Sequence, residues 1–143
     1  MPVGTWQKFE PFVQAVHHKL HNLQTDIIYG QLLNVAPSGT CAVETDLPAD
    51  IAGTNLYTTG GFSLGSASIS AQTTGTYKFG LSDKIFTAGT GQVGTFRYVV
   101  LLNNTATNKD LIGFYDYGQG VVLQSGETLT IDFDGSNGIF QSI

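Results

Sequence analysis

The chain changes its hydrophobic period once, near residue 25. Ahead of that point Phe12, Val13, Val16, Leu20 and Leu23 recur at helical spacing and mark one apolar stripe. Pro11 suits the first turn of such a helix, where its missing N–H is no loss. His21 would fall in the last turn, where positive charge is favoured. The spacing predicts a helix over 11–23. Residues 1–10 read as an extended arm carrying Trp6 and Phe9.

From Asp26 onward the period is two. Ile27, Tyr29, Gln31 and Leu33 alternate with Ile28, Gly30 and Leu32, which predicts an apolar strand. Residues 35–61 hold Pro37, Gly39, Pro48, Gly53, Gly60 and Gly61 and sustain no period. They read as a long loop with at most a short turn of helix, and loops of this length are often functional. Strand patterns then follow at 66–70, 76–81, 85–86, 96–102, 111–117 and 128–133, and Ile139, Phe140 and Ile143 close the chain. Residues 96–102 are apolar on both faces except at Arg97, as in a central strand. Turn signals about every ten residues are the rhythm of an antiparallel sandwich or barrel. The expected fold is mainly β: an antiparallel β-sandwich, jelly-roll-like, with an N-terminal arm and one short α-helix. Residues 1–25 would form the arm and helix, and residues 26–143 the sandwich.

Composition agrees with this pattern. Only 12% of residues are charged and 18 are glycine, so Ser and Thr fill many polar positions. The net charge of −5 gives little attraction for nucleic acid phosphate. Cys41 is the sole cysteine, which excludes an intrachain disulfide and a cysteine-based metal cluster. No apolar run approaches the roughly 18 residues that span a bilayer. The first residues lack the charged and apolar regions of a secretory leader, so folding in a reducing cytoplasm is expected.

Candidate chemistry is sparse. His17 and His21 stand four apart, a zinc-binding spacing, but His18 occupies the place of the glutamate that a zinc protease needs. A polar helix flank is the simpler use. Asp132, Asp134 and Asn137 surround a glycine turn; calcium could bind there, yet the later bidentate Glu of a calcium loop is missing, and turn geometry explains the residues. Arg97, set among apolar residues, needs a carboxylate partner, so a structural ion pair with an aspartate such as Asp116 or Asp132 is expected. Gly89, Gly91 and Gly94 have dinucleotide-loop spacing but lead into a strand pattern rather than a helix. Asn103-Asn104-Thr105 is a glycosylation triplet. No nucleophile motif is present, so no enzyme activity and no cofactor or metal are expected. Trp6 and Phe9 either anchor a partner or fold back on the sandwich.

Over nearly its whole length the order of motifs resembles a family of small structural proteins of tailed bacteriophages. The resemblance runs through Lys8-Phe9-Glu10-Pro11-Phe12-Val13, His21-Asn22-Leu23 with Asp26, and Leu33-Asn34-Val35-Ala36-Pro37. It continues through Tyr57-Thr58-Thr59-Gly60-Gly61, Gly75-Thr76-Tyr77-Lys78 and Phe96-Arg97-Tyr98-Val99-Val100-Leu101. It ends with Leu111-Ile112-Gly113, Tyr115-Asp116-Tyr117-Gly118 and Gly126-Glu127-Thr128-Leu129-Thr130-Ile131-Asp132-Phe133. The resemblance implies a virion component. From it we expect a capsid decoration, or cement, protein on the phage head surface, assembled in the host cytoplasm. Its partners would be the major capsid protein and itself as a homotrimer, with no nucleic acid or membrane. Trimers suit the threefold positions of an icosahedral shell, and repeated weak contacts gain strength by multivalency. Trp6, Phe9 and Phe12 are the expected capsid or intersubunit contacts, with the loop at 35–61 second. The rivals are a tail, baseplate or fibre-adaptor component, and a carbohydrate-binding module presenting Tyr57, Tyr115 or Tyr117.

Overall fold

A computed structural model describes residues 4–51, 53 and 56–142. Ile143, expected in the last strand, and the start of the arm lie outside the described residues. Among the described residues the fold is mainly β and antiparallel, with a single α-helix. Its strands are β1 (Thr5–Lys8), β2 (Ile27–Leu33), β3 (Phe62–Ser66), β4 (Ser68–Thr73) and β5 (Thr76–Gly80). They continue as β6 (Lys84–Thr87), β7 (Val93–Asn103), β8 (Leu111–Leu123), β9 (Thr128–Ile131) and β10 (Phe140–Ser142). The helix α1 spans Glu10–His17, and one short 3-10 turn, Glu44–Asp46, interrupts the long loop.

One layer is a five-stranded sheet in the order β1-β8-β7-β2-β3. The second layer is in two pieces, β10-β5-β4 and β6-β9. Only Ala67, buried, separates β3 from β4, so the chain passes from one sheet to the other at that residue. Ile28, Leu32, Val99, Leu101 and Ile112 of the large sheet share the main core with Phe79, Phe86, Leu129 and Ile131 of the smaller sheets. The opposite face of the large sheet is also apolar. There Leu33, Tyr98, Val100, Leu102, Leu111 and Phe114 cluster with Phe9, Cys41 and Leu47. This two-sided burial explains the continuous apolar run of β7, which is the middle strand, as its pattern predicts.

The helix is shorter than the spacing predicts. It ends at His17 because the next turn closes as a Schellman motif: the Leu20 N–H donates to the Ala15 carbonyl and the Lys19 N–H to that of Val16. Lys19 takes the left-handed conformation, with φ 64°, that glycine usually fills there. The chain then folds back, and His21 becomes buried beside Phe12 instead of ending the helix. Of the predicted stripe Phe12 is buried and Leu23 partly so, while Val13, Val16 and Leu20 face outward.

Residues 5–8 are extended, as expected of an arm, but they are not free. β1 pairs in register with β8, Trp6 opposite Tyr115 and Lys8 opposite Gly113. Gly113 permits this pairing, since a Cβ there would collide with the Trp6 ring and the Gln7 carbonyl. β1 is an edge strand of the large sheet and Phe12 joins the main core.

Candidate functional site

The residues expected to meet a partner complete the chain's own cores. Phe9 is fully buried, tilted against Phe114 at 5.2 Å between ring centroids. Phe12 meets Phe140 edge-on at 5.4 Å. Trp6, half-buried, stacks over Phe140 at 6.3 Å and tilts against Tyr115 at 5.1 Å. Phe9 and Phe12 are thus buried within the chain itself, while Trp6 stays partly exposed. Pairing of β1 with β8 draws the aromatic residues inward. The large apolar side chains this segment leaves exposed are instead aliphatic: Val13 (44%), Val16 (38%) and Leu20 (46%), with His17, His18 and Lys19 among them along the chain.

Arg97 pairs with Asp116, not with Asp132. Its Nε and a terminal nitrogen donate to the two carboxylate oxygens at 2.8 and 3.2 Å. The guanidinium also lies over the Tyr98 ring, 5.3 Å from its centroid. Hydrogen bonding from Arg97 holds the Asp116 carboxyl below the usual carboxylate range. The register explains the choice of partner. Tyr98 stands opposite Asp116 and Phe96 opposite Val121, so Arg97 faces an excursion of β8 over 117–120. Asp116 also accepts the Gly118 N–H at 2.7 Å, and Gly118, with φ 79°, turns the excursion. The ion pair therefore shapes the segment that carries Tyr117.

Tyr115 and Tyr117 line a cleft of about 580 Å³. Spacing of two puts them on one face of β8. Thr128 and Thr130 of β9 line it by the same rule, with Val121 and Ile131 adding apolar wall. Glu127 and Asp132, flanking the two ends of β9, also line it. Glu127 accepts the Gln124 N–H at 2.6 Å. Among the described residues, the phenols of Tyr115 and Tyr117, the hydroxyls of Thr128 and Thr130 and the carboxylate of Asp132 make no hydrogen bond. Burial raises both phenol pKa values, that of Tyr117 to about 12, so both stay protonated near neutrality. Among the described residues no Lys or Arg lines the cleft.

A smaller cleft of about 300 Å³ opens between the turn after α1 and the β7–β8 turn. Beneath it Asn103, fully buried, donates to Asp26 at 2.6 Å and lies 3.0 Å from His21 Nδ1. Its side-chain oxygen accepts the N–H groups of Thr105 and Ala106. The glycosylation triplet is thus a structural turn whose asparagine is sealed in the core. His21 Nε2 is buried with no hydrogen-bond partner among the described residues. Burial lowers the His21 pKa, against the opposing charges of Asp110 and Asp26.

The remaining candidates are structural. His17 and His21 do not converge, because α1 stops between them. Among the described residues no group of three or more His, Cys, Asp or Glu side chains has metal-binding geometry. Asp134 accepts N–H groups from Asn137 and Ser136, which lowers its pKa and serves the turn. Cys41 is buried, its thiol donating to the Asp46 carbonyl at 3.4 Å. The glycines at 89–94 lead into β7, a strand, as their surroundings predict. Tyr57, 3% exposed, is an anchor of the long loop and offers no open face.

No protein-family model, curated protein or solved structure matches this chain.

Proposed function

We propose that the chain is a virion structural protein of a tailed bacteriophage, a decoration protein that binds the major capsid protein on the head surface as a homotrimer. The motif order described above supports this reading over most of the sequence. The observation that carries it is the exposed aliphatic group Val13, Val16 and Leu20, set on a protein with few charges. Isolated exposed apolar residues are ordinary, but three within eight residues concentrate exposed apolar surface on this segment. Each half-exposed side chain would contribute about 1 kcal/mol on full burial. That is weak for one chain and strong when many copies engage a symmetric shell.

The test is the copy number per purified virion, measured by quantitative mass spectrometry against the major capsid protein. Hundreds of copies in a fixed ratio support a shell protein. A dozen or fewer would move it to the tail or neck, and absence from virions would end the reading. Replacing Val13, Val16 and Leu20 together by Ser should abolish capsid binding while thermal unfolding stays near the parent's. Retained binding would exclude this surface.

A further inference from the structure

We propose that the cleft between β8 and β9 binds an uncharged carbohydrate of one or two pyranose rings. Its volume of about 580 Å³ falls in the range of small-ligand sites. Its lining is mixed: two phenols, two threonine hydroxyls and two carboxylates beside Val121 and Ile131. A sugar presents the complement, hydroxyl groups that both donate and accept around apolar C–H faces. Carboxylates accept from such hydroxyls, and threonine and tyrosine hydroxyls exchange either role. These groups are free to do so, since Tyr115, Tyr117, Thr128, Thr130 and Asp132 have no hydrogen-bond partner among the described residues. With no Lys or Arg among the described lining residues and two carboxylates present, phosphate, sulfate and acidic sugars would be repelled.

The site is also held in shape before any ligand arrives. Tyr115 packs against Trp6 and Phe133, and Tyr117 against Phe96. Thr128 and Thr130 sit on β9, paired to β6. Asp116, bound by Arg97, fixes the turn that follows Tyr117. Sites on paired strands lose little freedom on binding. This inference does not depend on a place in the virion.

The test is two-dimensional amide NMR of the full chain titrated with neutral sugars: glucose, galactose, N-acetylglucosamine, maltose and lactose, and dextran as a long polymer. Saturable shifts confined to residues 115–117 and 127–132 support the proposal. A response to the free sugars marks a soluble ligand, and a response to dextran alone marks a polysaccharide chain. Asp132→Ala removes an exposed side chain with no internal partner, so it should leave the fold intact and weaken binding about tenfold, equal to about 1.4 kcal/mol. Thr130→Val should act in the same direction. Absence of shifts with every sugar overturns the proposal, as do shifts unchanged in both variants. Choline chloride and arginine serve as cationic probes. Saturation by either without any sugar response would overturn the proposal in favour of an organic-cation site.

Discussion

The Tyr57 hydroxyl donates to Asp50 at 2.6 Å while accepting the Leu32 N–H at 3.0 Å. One phenol thereby fastens the long loop to the inner strand β2. Asp50 completes the clasp by accepting the Gly60 N–H at 2.7 Å. Tyr57→Phe would keep the ring in the core but strand a buried N–H and part of a carboxylate. The expected loss is about 1–3 kcal/mol of unfolding free energy, read from urea denaturation. An unchanged midpoint would mean that water replaces the hydroxyl.

Alkaline pH should loosen the fold. Burial raises the phenol pKa values of Tyr57, Tyr115 and Tyr117. Above about pH 10 an unfolded tyrosine releases its proton while these folded ones retain theirs. The native state then binds more protons, so stability is full below about pH 10 and falls as pH rises through the folded values. Urea midpoints should decline from about pH 10 upward, with a shallower slope in Tyr57→Phe. A flat profile would contradict the burial.

The acid side should be governed in part by His21. Its folded pKa is lowered by burial, with Asp110 and Asp26 opposing. Below about pH 6.5 the unfolded chain takes up the proton first, so this contribution is present above that pH and is lost as pH falls. His21→Gln should flatten the urea midpoint between pH 7 and 5. An equal slope in the variant would exclude His21 as its source.

Residues 1–10 should not be removable without cost. Phe9→Ala alone should destabilise the fold by about 3–5 kcal/mol, the usual loss for a fully buried phenylalanine. Gly113→Ala should displace β1 and cost about 1–3 kcal/mol through overpacking against Trp6. Circular dichroism during urea unfolding would measure both. A truncation of residues 1–10 with parental stability would contradict the pairing of β1 with β8.

Lys19 marks a place where stability can be gained. Its left-handed backbone strains a side chain that glycine would not carry. Lys19→Gly should stabilise the fold by about 1 kcal/mol. A lower thermal midpoint would show that the Lys19 side chain has a role outweighing this strain.

The period-two patterns at 27–33, 76–81 and 128–133, with turn signals about every ten residues, determined that this is an antiparallel, mainly β protein, because alternation is a local property of each strand and short turns join antiparallel neighbours. The apolar run of β7 likewise revealed a central strand, since only two buried faces tolerate it. Spacing alone put Tyr115 beside Tyr117 and Thr128 beside Thr130. Tertiary structure decided everything that needed a partner. β1 has too few residues for a period of its own and exists through β8 and the space above Gly113. The apolar spacing of 11–23 ran on past the helix because periodicity does not report a backbone that turns at Lys19. Arg97 required a carboxylate by its chemistry, but the register of β7 on β8 selected Asp116 over Asp132. The cleft, too, exists only where β8 and β9 converge, because residues distant along the chain become neighbours through packing, and no local pattern encodes that approach.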